Sequence, residues 1–220
     1  IMTEMEPRRP THLLKRGQYD QPGDVVPLGI PAALPPLPEG APANRLGLAR
    51  WLTSPTHPLT ARVAVNRWWE MLFGIGIVET TEDFGIQGAY PSHPELLDWL
   101  ATELIARNWD TRAILKEIVL SATYRQSSRA RPDLHDVDPA NRWIARSPRV
   151  RLSAEAIRDA ALFHAGLLNP KVGGPSVKPY QPEGLWEDVS VERREKYAPE
   201  AGDGIYRRGM YTFWKRTCPP

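Results

Sequence analysis

Apolar and polar positions alternate most regularly between Pro91 and Tyr124. In PSHPELLDWLATELIA, Leu96, Leu97, Leu100, Ala101, Leu104 and Ile105 recur at helical spacing, with Asp98, Thr102 and Glu103 on the other side, as in a helix with one buried stripe. Ser92 stands three residues before Glu95, which predicts a capping box: hydroxyl and carboxylate each take an amide at the helix start. The helix is expected to end near Asn108, which tolerates the left-handed conformation. Asp110 then offers an N-cap for a second helix over TRAILKEIVLSATY. The chain is thus read as built around a helical hairpin.

On either side the pattern predicts shorter helices. Asn44 caps RLGLARWLT, with Leu46, Ala49 and Leu52 on one face, and Ser54-Pro55 stops it. Thr60 caps ARVAVNRWWEMLF, with Val65, Trp68 or Trp69 and Leu72 inward, and Gly74 and Gly76 end it. Asp138-Pro139 opens a short helix, ANRWIA. Ser153 with Glu155 opens AEAIRDAALFHAG, whose Ile157, Ala160, Ala161 and His164 share a stripe, and Gly166 closes it. Residues 1–43 carry Gly and Pro every few positions, which forbids a long helix and favours an extended arm laid on the helices. After Asn169 periodicity is lost until GMYTFWKRT, which alternates as a strand, with Val177 or GLWEDV as partner. The expected fold is mainly α: about six helices, an extended Pro-rich N-terminal arm, and an irregular C-terminal segment with a short β element. The divisions are 1–43, 44–168 and 169–220.

Composition narrows the class. A 220-residue chain with 41% hydrophobic and 25% charged residues is globular, and 23 prolines concentrate in the first 42 and last 50 residues. No apolar run is long enough for a membrane helix, and IMTEMEPRRP lacks the apolar core of a signal peptide. An isoleucine in first position points to a cut from a longer chain. Through Asp110 there are 9 basic and 13 acidic residues, leaving 28 − 9 = 19 and 26 − 13 = 13 beyond it. That basic half is read as a solvated face with internal ion pairs, and nucleic-acid binding is not expected. One cysteine, Cys218, excludes an intrachain disulfide and a multi-thiolate metal site.

The runs TARVAVNRWWEMLFGIGIVETTEDFGIQGAYPSHPELLDWLA, SATYRQSS, RLSAEAIRDAAL, GGPSVKPYQPEGLWE and YRRGMYTFWKRT together resemble the planctomycete-type C-terminal domain of unknown function, the PSD domain (domain of unknown function fifteen fifty-three). The resemblance implies a place in a multidomain, exported protein, periplasmic or otherwise extracytoplasmic, with haem only in a separate cytochrome-c-type domain. This chain has no Cys-x-x-Cys-His and holds no c-type haem covalently. The resemblance also implies that the family continues beyond Pro220, and it brings no activity.

Candidate chemistry is sparse. His93, with Asp83 and Glu82 upstream, could form a carboxylate–imidazole site; the alternative is a histidine packed at the helix entrance on a loop carbonyl. His12, His57, His135 and His164 lack the paired spacing of a metal site, so no metal is expected. Asn-Arg recurs at Asn44-Arg45, Asn66-Arg67 and Asn141-Arg142. Such a pair either staples a loop or clamps a ligand carboxylate, which makes Asn66 and Arg67 binding candidates. Arg158 and Asp159, with Arg62, Arg125 and Arg207, could extend such a network. Trp186 and Trp214, with Tyr180, Tyr206 and Tyr211, lie in the irregular C-terminal part, where an exposed aromatic platform for carbohydrate would sit. The function expected is an accessory or interaction module whose partners are other domains of the same polypeptide, with carbohydrate as a further candidate. The alternative is a hydrolytic or carbohydrate-active enzyme with its site near Glu82, Asp83, His93 and the C-terminal aromatics.

Overall fold

The computed structural model describes residues 5, 7–134, 136–189 and 196–216. His135, Cys218 and residues 192–195 of the charged loop lie outside the described residues. The chain divides into two compact units, Ile1–Val150 and Arg151–Pro220. Among the described residues it is mainly helical, with six α-helices and one two-stranded sheet. Among the described residues no helix is long and apolar enough to cross a membrane.

In the first unit, strands β1 (Thr11–Leu14) and β2 (Pro22–Val26) pair antiparallel, with Thr11 opposite Val26 and an irregularity between His12 and Leu14. The paired strands thus lie in the arm, where proline and glycine spacing suggests only extended chain. Arg16 and Gly17 turn the chain with positive φ, and Lys15 N–H donates to Gln21 O at 3.0 Å. Helix α1 (Arg45–Leu52) starts as expected, with Asn44 accepting from the Leu46 and Gly47 amides. Its inward face is different. Leu46, Ala49 and Leu52 are exposed, whereas Gly47 and Trp51 are buried. A Cβ on Gly47 would collide with the carbonyl oxygen of Pro42. The Trp51 indole N–H donates to Pro35 O at 2.7 Å, so packing against the arm decides the rotation of the helix.

Helix α2 (Thr60–Phe73) buries Ala61, Val65, Asn66, Trp69 and Phe73. Its N-terminus is not capped by Thr60: the Nδ1 of buried His57 accepts from the Leu59 and Thr60 amides instead. Gly74 ends it with φ 79°, the left-handed cap expected there. Helices α3 (Pro94–Ala106) and α4 (Thr111–Leu120) form the hairpin. Leu97, Leu100, Ala101 and Leu104 of α3 join Ile114 and Ile118 of α4 in one core with Val65, Trp69, Phe73, Ile77 and Val78. Asn108 has φ 52°, and Asp110 caps α4 by accepting from the Ala113 amide at 3.1 Å.

The capping box does not form. Pro94 occupies the first turn, His93 is the N-cap, and no side chain caps the helix. The Ser92 hydroxyl donates to Ile77 O at 3.2 Å and fixes the preceding loop. Residues 140–145 are not helical either, because Asn141 and Ile144 have φ of 54°, which a right-handed helix excludes.

In the second unit, α5 (Ala154–His164) is capped by Ser153 and followed by Gly166 at φ 71°. Its half-buried residues are Arg158, Asp159, Ala160 and Leu162, while Ile157 and Phe163 are exposed. The helix is held through polar atoms: Arg158 donates to Arg207 O at 2.8 Å and to Ile205 O at 2.5 Å, and Asp159 accepts from the Gly209 amide at 2.6 Å. GLWEDV is no strand; it contains helix α6 (Leu185–Val189). Of GMYTFWKRT, residues 209–211 form a 3-10 turn, and Val177 and Thr212 make a single parallel bridge.

Candidate functional site

The carboxylate–imidazole candidates are spent separately. His93 Nδ1 lies 3.0 Å from the Ser92 hydroxyl. Asp83 Oδ1 accepts from the Gly85 amide at 2.7 Å, and Asp83 O accepts from the Thr80 hydroxyl at 2.8 Å. Together these close the turn after Glu79. Glu82 faces Arg67 at 3.4 Å with both side chains exposed, a pair of small energetic weight. No hydrogen bond joins His93 to Asp83 or Glu82 among the described residues.

Asn66 is wholly buried, and its amide pairs with the Val78 backbone in both directions: Nδ2 donates to Val78 O at 3.0 Å and Oδ1 accepts from Val78 N–H at 2.8 Å. Asn141 does the same to Arg146, donating at 2.8 Å and accepting at 3.3 Å. In all three Asn-Arg pairs the asparagine holds backbone. The C-terminal aromatics are divided in their surroundings. Trp186 is 4% exposed; its indole donates to Gln181 Oε1, and its ring packs near Tyr197 and Phe213. The Tyr211 hydroxyl accepts from the Gly173 amide, and its ring lies under the Arg207 guanidinium. Trp214 and Tyr180 are exposed.

A cleft of about 360 Å³ opens elsewhere in the first unit. Its floor is apolar: Trp69 and Phe73 of α2, stacked at 4.1 Å, with Ile75 and Ile77 from the loop after Gly74. Ile144, which packs against the core that holds Trp69 and Phe73, adds to the apolar lining, and Arg142, Arg146 and Arg149 supply an arginine wall, with Glu79 and Ser92 also lining the cleft. Two side chains fold that wall. Asn141 closes residues 141–146 as described, and buried Asp138 accepts from the Arg142 amide at 2.8 Å and the Trp143 amide at 2.9 Å. Arg146 also donates to Pro139 O at 3.0 Å.

Burial pushes the Asp138 carboxyl upward. The Trp143 and Arg142 amides and the positive charges of Arg146 and Arg142 outweigh that, so it sits below the ordinary carboxylate range. A depressed value means that the ionised carboxylate stabilises the loop above the unfolded value, about 3.9, and that this contribution is lost as pH falls through the lower folded value. Asp138→Asn is expected to cost about 1 kcal/mol near neutrality. The gap between the urea midpoints of variant and wild type should narrow as pH is lowered from neutrality to below the unfolded value of about 3.9; a gap as wide there as near neutrality would contradict the assignment.

Of the cleft residues, Arg142 belongs to one of the Asn-Arg pairs that the sequence singles out, whereas Trp69, Phe73, Arg146 and Arg149 are not among its site candidates. The basic run RWIARSPRVR is the available signal: Arg142, Arg146 and Arg149 stand at i, i+4 and i+7, which would share one face of a helix, although the segment folds as a loop with Asn141 and Ile144 at positive φ. No group of three or more His, Cys, Asp or Glu side chains able to hold a metal ion occurs among the described residues.

Neither the curated proteins nor the solved structures contain a match to this chain. The model of the PSD1 family, described as a protein of unknown function (DUF1553), matches residues 44–220. That span begins at the asparagine that caps α1 and includes the helical hairpin, the arginine loop and the Arg207 network, so the chain belongs to the PSD1 (DUF1553) family.

Proposed function

We propose that this domain is an accessory interaction module of a larger exported polypeptide, in which haem resides in a separate cytochrome-c-type domain and this domain serves the redox, and carbohydrate-related, partners of the whole. Its setting would be extracytoplasmic. The observation that supports the reading is the division of labour in the first unit. His93, Asp83 and Glu82 are each engaged in a different local contact, while the cleft carries guanidinium groups over an apolar floor, which is equipment for holding a ligand rather than for moving a proton.

The test is turnover. The whole chain is incubated with a panel of chromogenic esters and glycosides beside the double variant H93A/D83N. The expected result is that wild type and variant are indistinguishable from buffer. Hydrolysis by the wild type that the double variant loses would overturn the module reading in favour of a hydrolytic or carbohydrate-active enzyme.

A further inference from the structure

We propose that the cleft between α2 and the Asp138–Ser147 loop is a binding site for a small organic carboxylate, its acid group taken by the arginine wall and its apolar body laid on the Trp69–Phe73 floor. This deepens the module reading by naming the ligand chemistry.

Charge carries the first step. Three arginines and one glutamate line the cleft, a formal excess of 3 − 1 = +2. Arg142 and Arg149 are exposed, and among the described residues no hydrogen bond or ion pair engages either guanidinium. Some arginines of this unit are paired with carboxylates: Arg62 with Asp98, Arg67 with Glu82, Arg107 with Glu103 and Glu117, Arg131 with Asp133. Asp138 attracts Arg142 and Arg146 only through space while its oxygens accept backbone amides, which leaves guanidinium donors for a ligand, and a planar guanidinium matches a planar carboxylate by two parallel hydrogen bonds. A neighbouring basin shares Arg146 and Ala130 with the cleft and is also lined by Arg129, which adds to the positive charge nearby.

Shape and order carry the second step. About 360 Å³ lies within the range of small-molecule sites. The half-buried Ile75 and Ile144 flank the buried aromatic pair, leaving an apolar surface beneath the charges. The wall is already fixed in the free protein by the two amides on Asp138, the paired amide of Asn141 and the anchoring of Arg146 on Pro139 O. A ligand therefore orders the Arg142 and Arg149 side chains and not the loop that carries them.

The experiment uses the whole chain, with benzoate as probe in calorimetric titration and thermal melts, and benzamide and inorganic sulfate as controls. Benzoate is expected to bind with a dissociation constant of about 1 mM or better. Benzamide, which lacks the charge, and sulfate, which lacks the ring, should each bind at least about tenfold more weakly, the difference one good contact makes. R142Q/R149Q should lose benzoate affinity by about tenfold or more while melting, ligand-free, where the wild type does. The proposal is overturned if benzoate fails to bind at about 10 mM, well above the expected constant. It is equally overturned if benzamide or sulfate matches benzoate, or if R142Q/R149Q binds benzoate as the wild type does. Should the double variant melt lower, R142K/R149K keeps the charge but not the planar fork, and undiminished benzoate binding by it would overturn the bidentate contact. None of these outcomes produces hydrolysis, so they stay separate from the turnover test.

Discussion

Replacing Asn66 by alanine is expected to destabilise the protein by about 3 kcal/mol, because it strands two backbone groups in the core at ~1–3 kcal/mol each. Asn66 is wholly buried, and its side-chain amide is the partner of both the N–H and the C=O of Val78. Gly76 stands so close that a Cβ there would meet the same amide at 2.8 Å, so the loop from Gly74 to Val78 is moulded onto this side chain. The measurement is urea denaturation of the whole chain, with amide hydrogen exchange reporting where protection is lost. Exchange should accelerate at Val78 and Ile77 before it does in α4. Asn66→Asp discriminates further. The carboxylate keeps the acceptor for Val78 N–H but turns a second acceptor toward Val78 O. Burial raises the folded pKa of the introduced carboxyl, so its penalty is complete above that pKa and eases as pH falls and the proton supplies a donor. A variant of undiminished stability, or one whose deficit ignores pH, would show that Asn66 does not support the loop.

The same residue shows how legibility divides along this chain. The α3–α4 hairpin is readable because its signals are local: leucines at helical spacing, Asn108 in the left-handed region, and Asp110 with its side chain on the Ala113 amide. The start of α3 misleads because serine three before glutamate fits a capping box. Pro94 sets the first helical turn one residue after His93, and the Ser92 hydroxyl is drawn to Ile77 O fifteen residues earlier in the chain. Long-range packing also reverses α1, where three leucine or alanine positions give way to Gly47 and Trp51 because the Pro35–Pro42 backbone lies against them.

The cleft was hidden for a related reason. Asp138-Pro139 reads as a helix start, and Asp138 does accept two amides as a cap would. The chain then enters the left-handed region at Asn141 and again at Ile144, and no periodicity announces this. Arg142, Arg146 and Arg149 reach one wall through that irregular path, while the floor arrives from α2, some seventy residues upstream. Spacing along the sequence finds caps and stripes. It does not find a site whose two sides meet only after the core has formed.

Arg207→Met should cost about 3 kcal/mol, the lower end of what breaking a buried, hydrogen-bonded charge costs, with its effect concentrated in the second unit. Arg207 is 4% exposed, and its guanidinium donates to Pro175 O at 2.8 Å, Lys171 O at 3.3 Å and Gly173 O at 2.5 Å while lying 3.8 Å from the Tyr211 ring centre. It thus gathers the 171–175 loop, whose Gly173 and Gly174 adopt positive φ, onto the 3-10 turn of residues 209–211, which carries Tyr211. Its own carbonyl accepts from Arg158, which ties the same point to α5. Methionine preserves volume and removes all three donors, so the carbonyls must find water or the loop must lift. Arg207→Lys keeps the charge but places one compact ammonium where a fork spanned three acceptors. Its expected loss is smaller, about 2 kcal/mol, and a lysine variant as stable as wild type would show that charge rather than the fork organises the loop. Hydrogen exchange on the whole chain locates the damage: the Gly173 amide, bonded to the Tyr211 hydroxyl, and the Val177 amide, bonded to Tyr211 O, should lose protection in both variants. Protection unchanged there, with stability lost elsewhere, would refute the clamp.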